Sequence, residues 1–387
     1  MLHQLTKEQL DRYNSVKAFV AEHISGHADD WDREEQLPDS LLNHLGQCGY
    51  LGAIVSPEYA GAGWDTLSFG LLSEALGRGS SSAAVVVTVQ AMVSSALLKW
   101  GTQEQKAKWL PPLAKGTLIS SFALTEPGTG SATDSIATAF TRVPDSDQLL
   151  LNGTKRWISC AQMAGLFLVF GKLEGQSLAC LVPREAEGLS IAPITDMMGF
   201  RAAGLAELHF ENIRVPAANL VGKPGFGLSH VATSGLQYGR ISTSCSALGL
   251  LRGCFEESTA YAATRKVHEQ RIGELGMIRS LIACMGTDLE AARLLCYQAC
   301  HAVDERSPDA MEKTLMAKYF ASRAAVKAAS DAVQIRGASG CHASSSVARY
   351  YRDSKIMEII EGTSQIHEQL LGKMFVDQPN RAAKKAV

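Results

Sequence analysis

From Gly225 to Gln378 a single proline, Pro308, interrupts the chain, and the next, Pro379, lies near the extreme C-terminus. A stretch this long and this free of prolines is expected to run as helices, because little in it breaks the helical hydrogen-bond ladder. Ile278, Leu281, Ile282, Met285, Leu289, Ala292, Cys296 and Ala299 fall on one long apolar face. The Ala-rich run Met311 to Ile335 makes a second helix, ended by Gly337 and Gly340. Helices of this kind suit a bundle, and so wide an apolar surface suits contacts between subunits as well as a plain core.

The remainder divides by its period. From about Thr6 to Ala114 apolar residues recur at three and four positions, as in Leu67, Leu71, Leu72, Ala75 and Leu76. Breaks fall around Pro57 to Gly63, and Pro111-Pro112 closes the region. From Leu118 to Val221 the signal turns to strands. Asn152-Gly153, between Leu149-Leu150-Leu151 and Thr154-Lys155-Arg156-Trp157, predicts a hairpin on a tight type I′ turn. Leu166 to Phe170 and Leu178 to Val182 flank a second turn at Glu174-Gly175, and Leu208 and Phe210 alternate with charged neighbours. The expected class is α+β, with a helical domain over 1–117, a small antiparallel β domain over 118–223 and a helical bundle over 224–387.

Composition excludes several functions. A chain of 387 residues exceeds one small core, so two or three structural units are expected. A net charge of -2 gives no electrostatic footprint for nucleic acid, and the basic tail Arg381, Lys384 and Lys385 reads as a solvated end. The start of the chain lacks the basic and apolar pattern of a signal peptide, and nine cysteines without an export signal point to reduced thiols in the cytoplasm. Ala83 to Leu98, broken by Thr88, Gln90, Ser94 and Ser95, reads as a buried helix and not a membrane span. Cys296, Cys300 and His301 stand near metal-ligand spacing, yet both cysteines keep step with an apolar stripe, so no metal site is expected.

Three motifs carry chemistry. Glu361 follows Ile359-Ile360 and precedes Gly362, with Thr363 or Ser364 placed to cap the next helix. A carboxylate at the mouth of a turn among apolar neighbours is a candidate base, since desolvation raises its pKa; the plain alternative is a solvated or capping Glu. Phe122-Ala123-Leu124-Thr125-Glu126-Pro127-Gly128-Thr129-Gly130-Ser131 offers a tight turn and two hydroxyls to a planar or anionic ligand, or is simply a surface turn. No Gly-Lys-Ser/Thr follows it, and the chain has no Gly-x-Gly-x-x-Gly between strand and helix, which disfavours a P-loop and a Rossmann site. Trp157-Ile158-Ser159, expected on the return strand of the Asn-Gly hairpin, puts an indole and a hydroxyl on one side, for stacking on a cofactor or for core packing.

In this order and on this helix–strand–helix plan, the motifs resemble the acyl-CoA dehydrogenase family over essentially the whole chain. The matching segments are Thr-Glu-Pro-Gly-x-Gly-Ser, Asn-Gly-x-Lys-x-Trp-Ile-Ser, Arg-Asp-x-Lys-Ile and Glu-Gly-Thr-x-Gln-Ile. The resemblance implies FAD held between the β domain and the C-terminal bundle, with an acyl thioester against its ring. It makes Glu361 the base that removes the proton α to the thioester carbonyl while hydride passes to the flavin. The carbonyl is then polarised by a backbone N–H at the Glu position and by a flavin hydroxyl.

By the same matching, Phe122, Leu124, Thr125, Gly130 and Ser131 line the cofactor. Trp157, Ile158 and Ser159 flank its ring. Arg265, Gln334, Ile335 and Gly337 reach the FAD of a neighbouring subunit, and Thr363 and Gln365 lie toward the adenine end. Ser131, Arg240 and Gly362 face substrate. Cross-subunit contacts imply a homodimer or homotetramer. Some subfamilies place the base one residue before an arginine that resembles Arg240; Gly239 occupies that place here, which leaves Glu361. Departures from the pattern are His268 and Glu269, the position near Gly276, and the loop Gly337-Ala338-Ser339-Gly340-Cys341. They fall where the partner's FAD would sit.

Gly199-Phe200-Arg201-Ala202-Ala203 and Pro224 to His230 are similar to a branch that acts on acyl groups held by an acyl carrier protein, including hydroxymalonyl- and methoxymalonyl-type extender units of polyketide biosynthesis. The alternative is a short-chain acyl-CoA substrate in catabolism, with an electron-transfer flavoprotein as the usual acceptor. Two further readings on the same fold are a flavin monooxygenase or oxidase and a non-catalytic flavin-binding module, including DNA-associated relatives.

Overall fold

Two units make up the chain, each from separated stretches: Met1–Asp29, Thr66–Ser81 and Arg240–Val387 form one, Asp30–Asp65 and Ser82–Gly239 the other. The computed structural model describes residues 5–385, with side chains for 5–377. Residues 1–4, the start of the segment read for an export signal, and the side chains of Arg381, Lys384 and Lys385 lie outside the described residues.

The helices before the sheet are α1 (Lys7–His23), α2 (Ala28–Glu34), α3 (Asp39–Gln47), α4 (Thr66–Gly79), α5 (Ser81–Trp100) and α6 (Gln103–Lys115). Reciprocal Thr–Gln bonds, a capping box, start two of them: Thr6 with Gln9 for α1 and Thr102 with Gln105 for α6. α6 carries Pro111-Pro112 inside its last turns and continues to Lys115, where Gly116 ends it at φ 73°. α5 is long and apolar enough to cross a membrane, but its side chains are buried in the protein and it is a core helix.

The strands are β1 (Ser120–Ala123), β2 (Ala139–Arg142), β3 (Gln148–Ile158), β4 (Leu166–Leu173), β5 (Gln176–Pro183), β6 (Leu189–Pro193), β7 (Ala206–Pro216) and β8 (Leu220–Val221). They form one sheet in the order β6-β7-β3-β2-β4-β5-β8, with β1 beside β4. β4 is buried on both faces, which explains its nearly continuous apolar sequence. Phe167 and Val169 join a cluster with Leu151, Leu208 and Phe210, while Leu166, Leu168 and Phe170 pack with Val93 and Leu97 of α5 and with Leu110 and Leu113 of α6.

The hairpin expected at Asn152-Gly153 is absent. β3 runs through both residues, and a bulge between Leu151 and Gly153 absorbs them while the strand stays paired with β7. Asn152 exchanges side-chain bonds with Asn212 across the strands, and Gly153, at φ 149°, lies against Thr138 where a Cβ would come within 2.7 Å of its Oγ1. The glycine serves a bulge and a close approach and not a turn. The tight hairpin is at Glu174-Gly175, whose φ values of 52° and 79° join β4 to β5 as a primed turn does.

The other unit holds most of α7 (Thr233–Thr264), a ribbon of β9 (Lys266–Val267) and β10 (Gln270–Arg271), and then α8 (Gly276–Asp304), α9 (Ala310–Arg336), α10 (Ser346–Ile359) and α11 (Ser364–Lys385). α4 and α7 meet through small residues: a Cβ on Gly77 would meet the Ser246 backbone, and one on Gly249 the Glu74 carbonyl. Between them lies buried Glu74, which accepts bonds from Tyr13 at 3.0 Å, Tyr297 at 2.8 Å and Arg252 at 2.9 Å. One carboxylate thus ties α1, α4, α7 and α8 together, and every partner is hydrogen-bonded as burial requires. Cys296 and Cys300 are buried in this helical unit, His301 is exposed, and the described residues include no cluster fit for a metal.

Candidate active site

α10 ends with the bond from the Ile360 N–H to the Ile356 carbonyl, after which the backbone turns left-handed at Glu361 (φ 56°) and Gly362 (φ 98°). Thr363 then caps α11, accepting the Ile366 N–H at 3.3 Å. Left-handed geometry at a residue with a side chain costs about 1 kcal/mol, so the surrounding structure must hold it. Three groups do so through main-chain oxygens. Arg240 Nε donates to the Glu361 carbonyl at 3.3 Å, and His367 Nε2 donates to the same oxygen at 3.3 Å. Lys318 Nζ donates to the Gly362 carbonyl at 2.6 Å and to that of Glu358 at 3.3 Å.

None of these donors engages the carboxylate. Glu361 Oε2 is shielded from water and has no hydrogen-bond partner among the described residues, although the residue as a whole is only partly buried. Burial raises its pKa to about 7, against the pull of the Arg240 and Lys318 charges. Burial, together with the same two cations, pushes His367 down to about 3, so it is neutral and its donating Nε2 carries the proton. The Glu361 N–H has no backbone partner among the described residues and is free to donate to a ligand.

The glycine-rich motif lies in the other unit. Glu126 and Thr129 bond each other's backbone across Pro127-Gly128. Glu126 is buried and accepts from the N–H groups of Ala137 at 2.6 Å and Thr138 at 2.9 Å, and from Lys155 Nζ at 2.8 Å. Burial opposes its ionisation, but these bonds outweigh it and hold the carboxyl below its usual range; burial brings Lys155 down to about 8. The ion pair fastens the turn to β3 just before Trp157.

Trp157 stands at φ 61° within a second register shift, between Lys155 and Ile158, so strand alternation fails here and the expected shared side of Trp157 and Ser159 does not follow from it. Its indole is 44% exposed and is not a core side chain, and the Arg156 guanidinium lies 4.7 Å from its ring centre. Ser159 is half-buried and its hydroxyl has no hydrogen bond among the described residues, while its carbonyl accepts from Ser121 at 2.9 Å.

The other predicted residues divide by exposure. Phe122 and Thr125 are half-buried, Gly130 and Ser131 exposed; Leu124 and Ile158 bury their side chains in the sheet core and can offer a ligand only backbone. In the helical unit Arg265, Gln334, Gly337 and Gln365 are exposed, and Ile335 is buried in the packing of α9. Arg240, Gly362 and Thr363 join Glu361 in one turn-centred cluster. His268 and Glu269 form the left-handed turn of the β9–β10 ribbon. Sequence reasoning missed Lys318 and His367. The signal for Lys318 was a lone lysine in an alanine-rich apolar stretch, Thr314-Leu315-Met316-Ala317-Lys318.

Family models cover the chain nearly end to end: the acyl-CoA dehydrogenase N-terminal domain at residues 6–117, its middle domain at 121–213 and its C-terminal domain at 227–375. A probable acyl-CoA dehydrogenase of Bacillus subtilis is 36% identical over 384 residues, which cover 97% of this chain and 100% of the relative. FkbI, a solved structure described as serving biosynthesis of the methoxymalonyl extender unit of the polyketide Fk520, matches with a TM-score of 0.85 at 29% identity over 94% of this chain and 99% of its own. The prolyl acyl carrier protein oxidase AnaB matches with a TM-score of 0.89 at 26% identity over 96% and 99%.

Proposed function

Because the chain belongs to the acyl-CoA dehydrogenase family, we propose that Glu361 is its catalytic base and that its thioester substrate is carried by an acyl carrier protein. The family dehydrogenates acyl thioesters with FAD, and this protein has the family's fold of an N-terminal helical, a middle β and a C-terminal helical domain. The observation that supports Glu361 is its buried, unpartnered Oε2 beside a backbone N–H without a partner.

The residues present fit the cofactor. An indole left exposed at the end of β3, and an unengaged Ser159 hydroxyl close by in sequence, offer a stacking face and a donor to a flat heteroaromatic ring. Thr125, Gly130 and Ser131 would line it. When bound, FAD supplies the hydride acceptor.

The chain's own residues handle the proton. Glu361 takes the α-proton, and the C–H electron pair moves into the new double bond as hydride leaves the β-carbon. A carboxylate poised near neutrality is basic enough to accept that proton and is still substantially ionised at neutral pH. The Glu361 N–H would donate to the thioester oxygen as charge develops there. Arg240 holds the Glu361 backbone by donating to its carbonyl.

Support for a carrier-bound substrate, such as a hydroxymalonyl- or methoxymalonyl-type extender-unit precursor, comes from the likeness to FkbI and AnaB and from the Gly199–Ala203 and Pro224–His230 segments. The identity to the Bacillus subtilis relative favours an acyl-CoA as the second reading. Electron transfer to an electron-transfer flavoprotein, a cytoplasmic location and assembly into a dimer or tetramer complete the proposal; exposed Met277 and Leu294 on α8 support self-association.

Anaerobic bleaching of the flavin tests the reading. Butyryl and hydroxymalonyl-type acyl groups are offered on CoA and on a carrier protein. Faster bleaching by the carrier-bound forms is expected; bleaching by CoA esters alone rejects the carrier, and no bleaching by any thioester rejects the substrate class.

A further inference from the structure

Lys318 has no exposed surface, and no carboxylate forms an ion pair with it among the described residues. An ammonium buried without a counter-ion is costly and survives only where its hydrogen bonds repay the lost hydration. Here both of its hydrogen bonds end on carbonyls that bracket Glu361: Glu358, in the last turn of α10, and Gly362. The helix dipole favours a cation at that end of α10. Nothing on the Lys318 side touches the carboxylate.

We propose that Lys318 is a positioning residue for the base: it anchors both sides of the left-handed Glu361-Gly362 turn from α9, leaves the carboxylate unpaired, and supplies a nearby positive charge that favours its ionised form. The inference rests on the reading of Glu361 as base.

The charged and titratable groups around this turn come from four elements. Arg240 on α7 stays cationic although burial lowers its pKa, with Glu361 opposing. Glu358 on α10 is paired with Lys355 at 2.6 Å. His367 on α11 is neutral. Lys318 on α9 is brought down to about 8 by burial, with Glu361 raising it. Of these, Arg240 and Lys318 act on Glu361 in the direction that favours the carboxylate. Replacing Lys318 by an uncharged side chain therefore makes Glu361 harder to ionise.

The test compares FAD-loaded Lys318→Met and Lys318→Gln with the parent, following anaerobic flavin reduction by butyryl-CoA and butyryl-carrier protein across pH, with Glu361→Gln alongside. The acidic limb of the rate profile is expected to move up by about one pH unit in both variants, a roughly tenfold lower rate on that limb. A purely structural lysine would lower the plateau or the yield of FAD-loaded protein and leave the limb in place. An unmoved limb in either loaded variant, with Glu361→Gln inactive, overturns the role of Lys318. A Glu361→Gln protein that still reduces its flavin overturns the base reading instead. Lys318→Gln keeps a hydrogen-bond donor and carries the test where Lys318→Met does not load FAD.

Discussion

Lys155 places its ammonium 2.8 Å from Glu126 Oε1, with the two side chains 0% and 6% exposed. The pair links the Thr-Glu-Pro-Gly turn to β3 one residue before the chain departs from regular strand geometry toward Trp157. Lys155 also donates to the Leu124 carbonyl at 2.9 Å, so one side chain holds two residues of the arm that enters the turn.

Lys155→Met leaves the Glu126 carboxylate buried without its cation. Removing one partner of a buried pair costs about 3–5 kcal/mol, so the variant should unfold at clearly lower temperature and retain less FAD. Glu126→Gln with Lys155→Met removes both charges and should recover part of that loss. Thermal unfolding of the two variants checks it, and equal stability of single and double variants would contradict the pairing.

Much of the architecture was legible in the sequence, for reasons that differ by element. The long C-terminal helices followed from the scarcity of prolines, and the glycine at position 337 ends α9 as expected at φ 60°. The Asn152-Gly153 hairpin did not follow, because the same dipeptide serves a bulge when both flanking stretches pair with one partner strand. Glu361 was singled out through its neighbours, but Lys318 and His367 were not: Lys318 shows only as a lone lysine in an alanine-rich run, neither belongs to a motif, and only folding brings them under the turn. Trp157 was singled out as a residue but not as a backbone outlier, since its positive φ falls in the register shift of β3.

Burial raises Glu361 to about 7, and as the proposed base it would work only when ionised. Activity should therefore fall as pH drops through about 7, by about tenfold per unit below it. An ordinary carboxylate would keep the rate flat to well below that range. His367 does not contribute to the limb, since it is already neutral. The pH dependence of flavin reduction checks the sign and the position; a flat profile down to about pH 5 would show an unperturbed base.

Gly362 has no room for a side chain. A Cβ would lie 2.9 Å from His367 Nε2, at a φ of 98° that side chains avoid. Gly362→Ala should displace the turn that carries the base and lower the rate by about tenfold or more, with the β domain untouched. His367→Ala in the same background removes the clash but not the strain, so it should restore only part of the rate. Full recovery would mean that the left-handed backbone is dispensable.

Trp157→Ala removes an exposed indole from the end of β3. If the indole stacks on the flavin, the variant should bind FAD more weakly by about 1 kcal/mol or more and shift its visible spectrum. Because the side chain is not core, thermal stability without cofactor should change little. A spectrum and an affinity like the parent's would remove Trp157 from the site.

The central claim is that Glu361 takes the substrate proton. Glu361→Gln keeps the size of the side chain and removes the base, so the purified variant should retain FAD and its yellow colour. Mixed anaerobically with the thioester that bleaches the parent fastest, it should leave its flavin oxidised over the time in which the parent is fully reduced. Flavin reduction by Glu361→Gln at the parent rate would contradict the account.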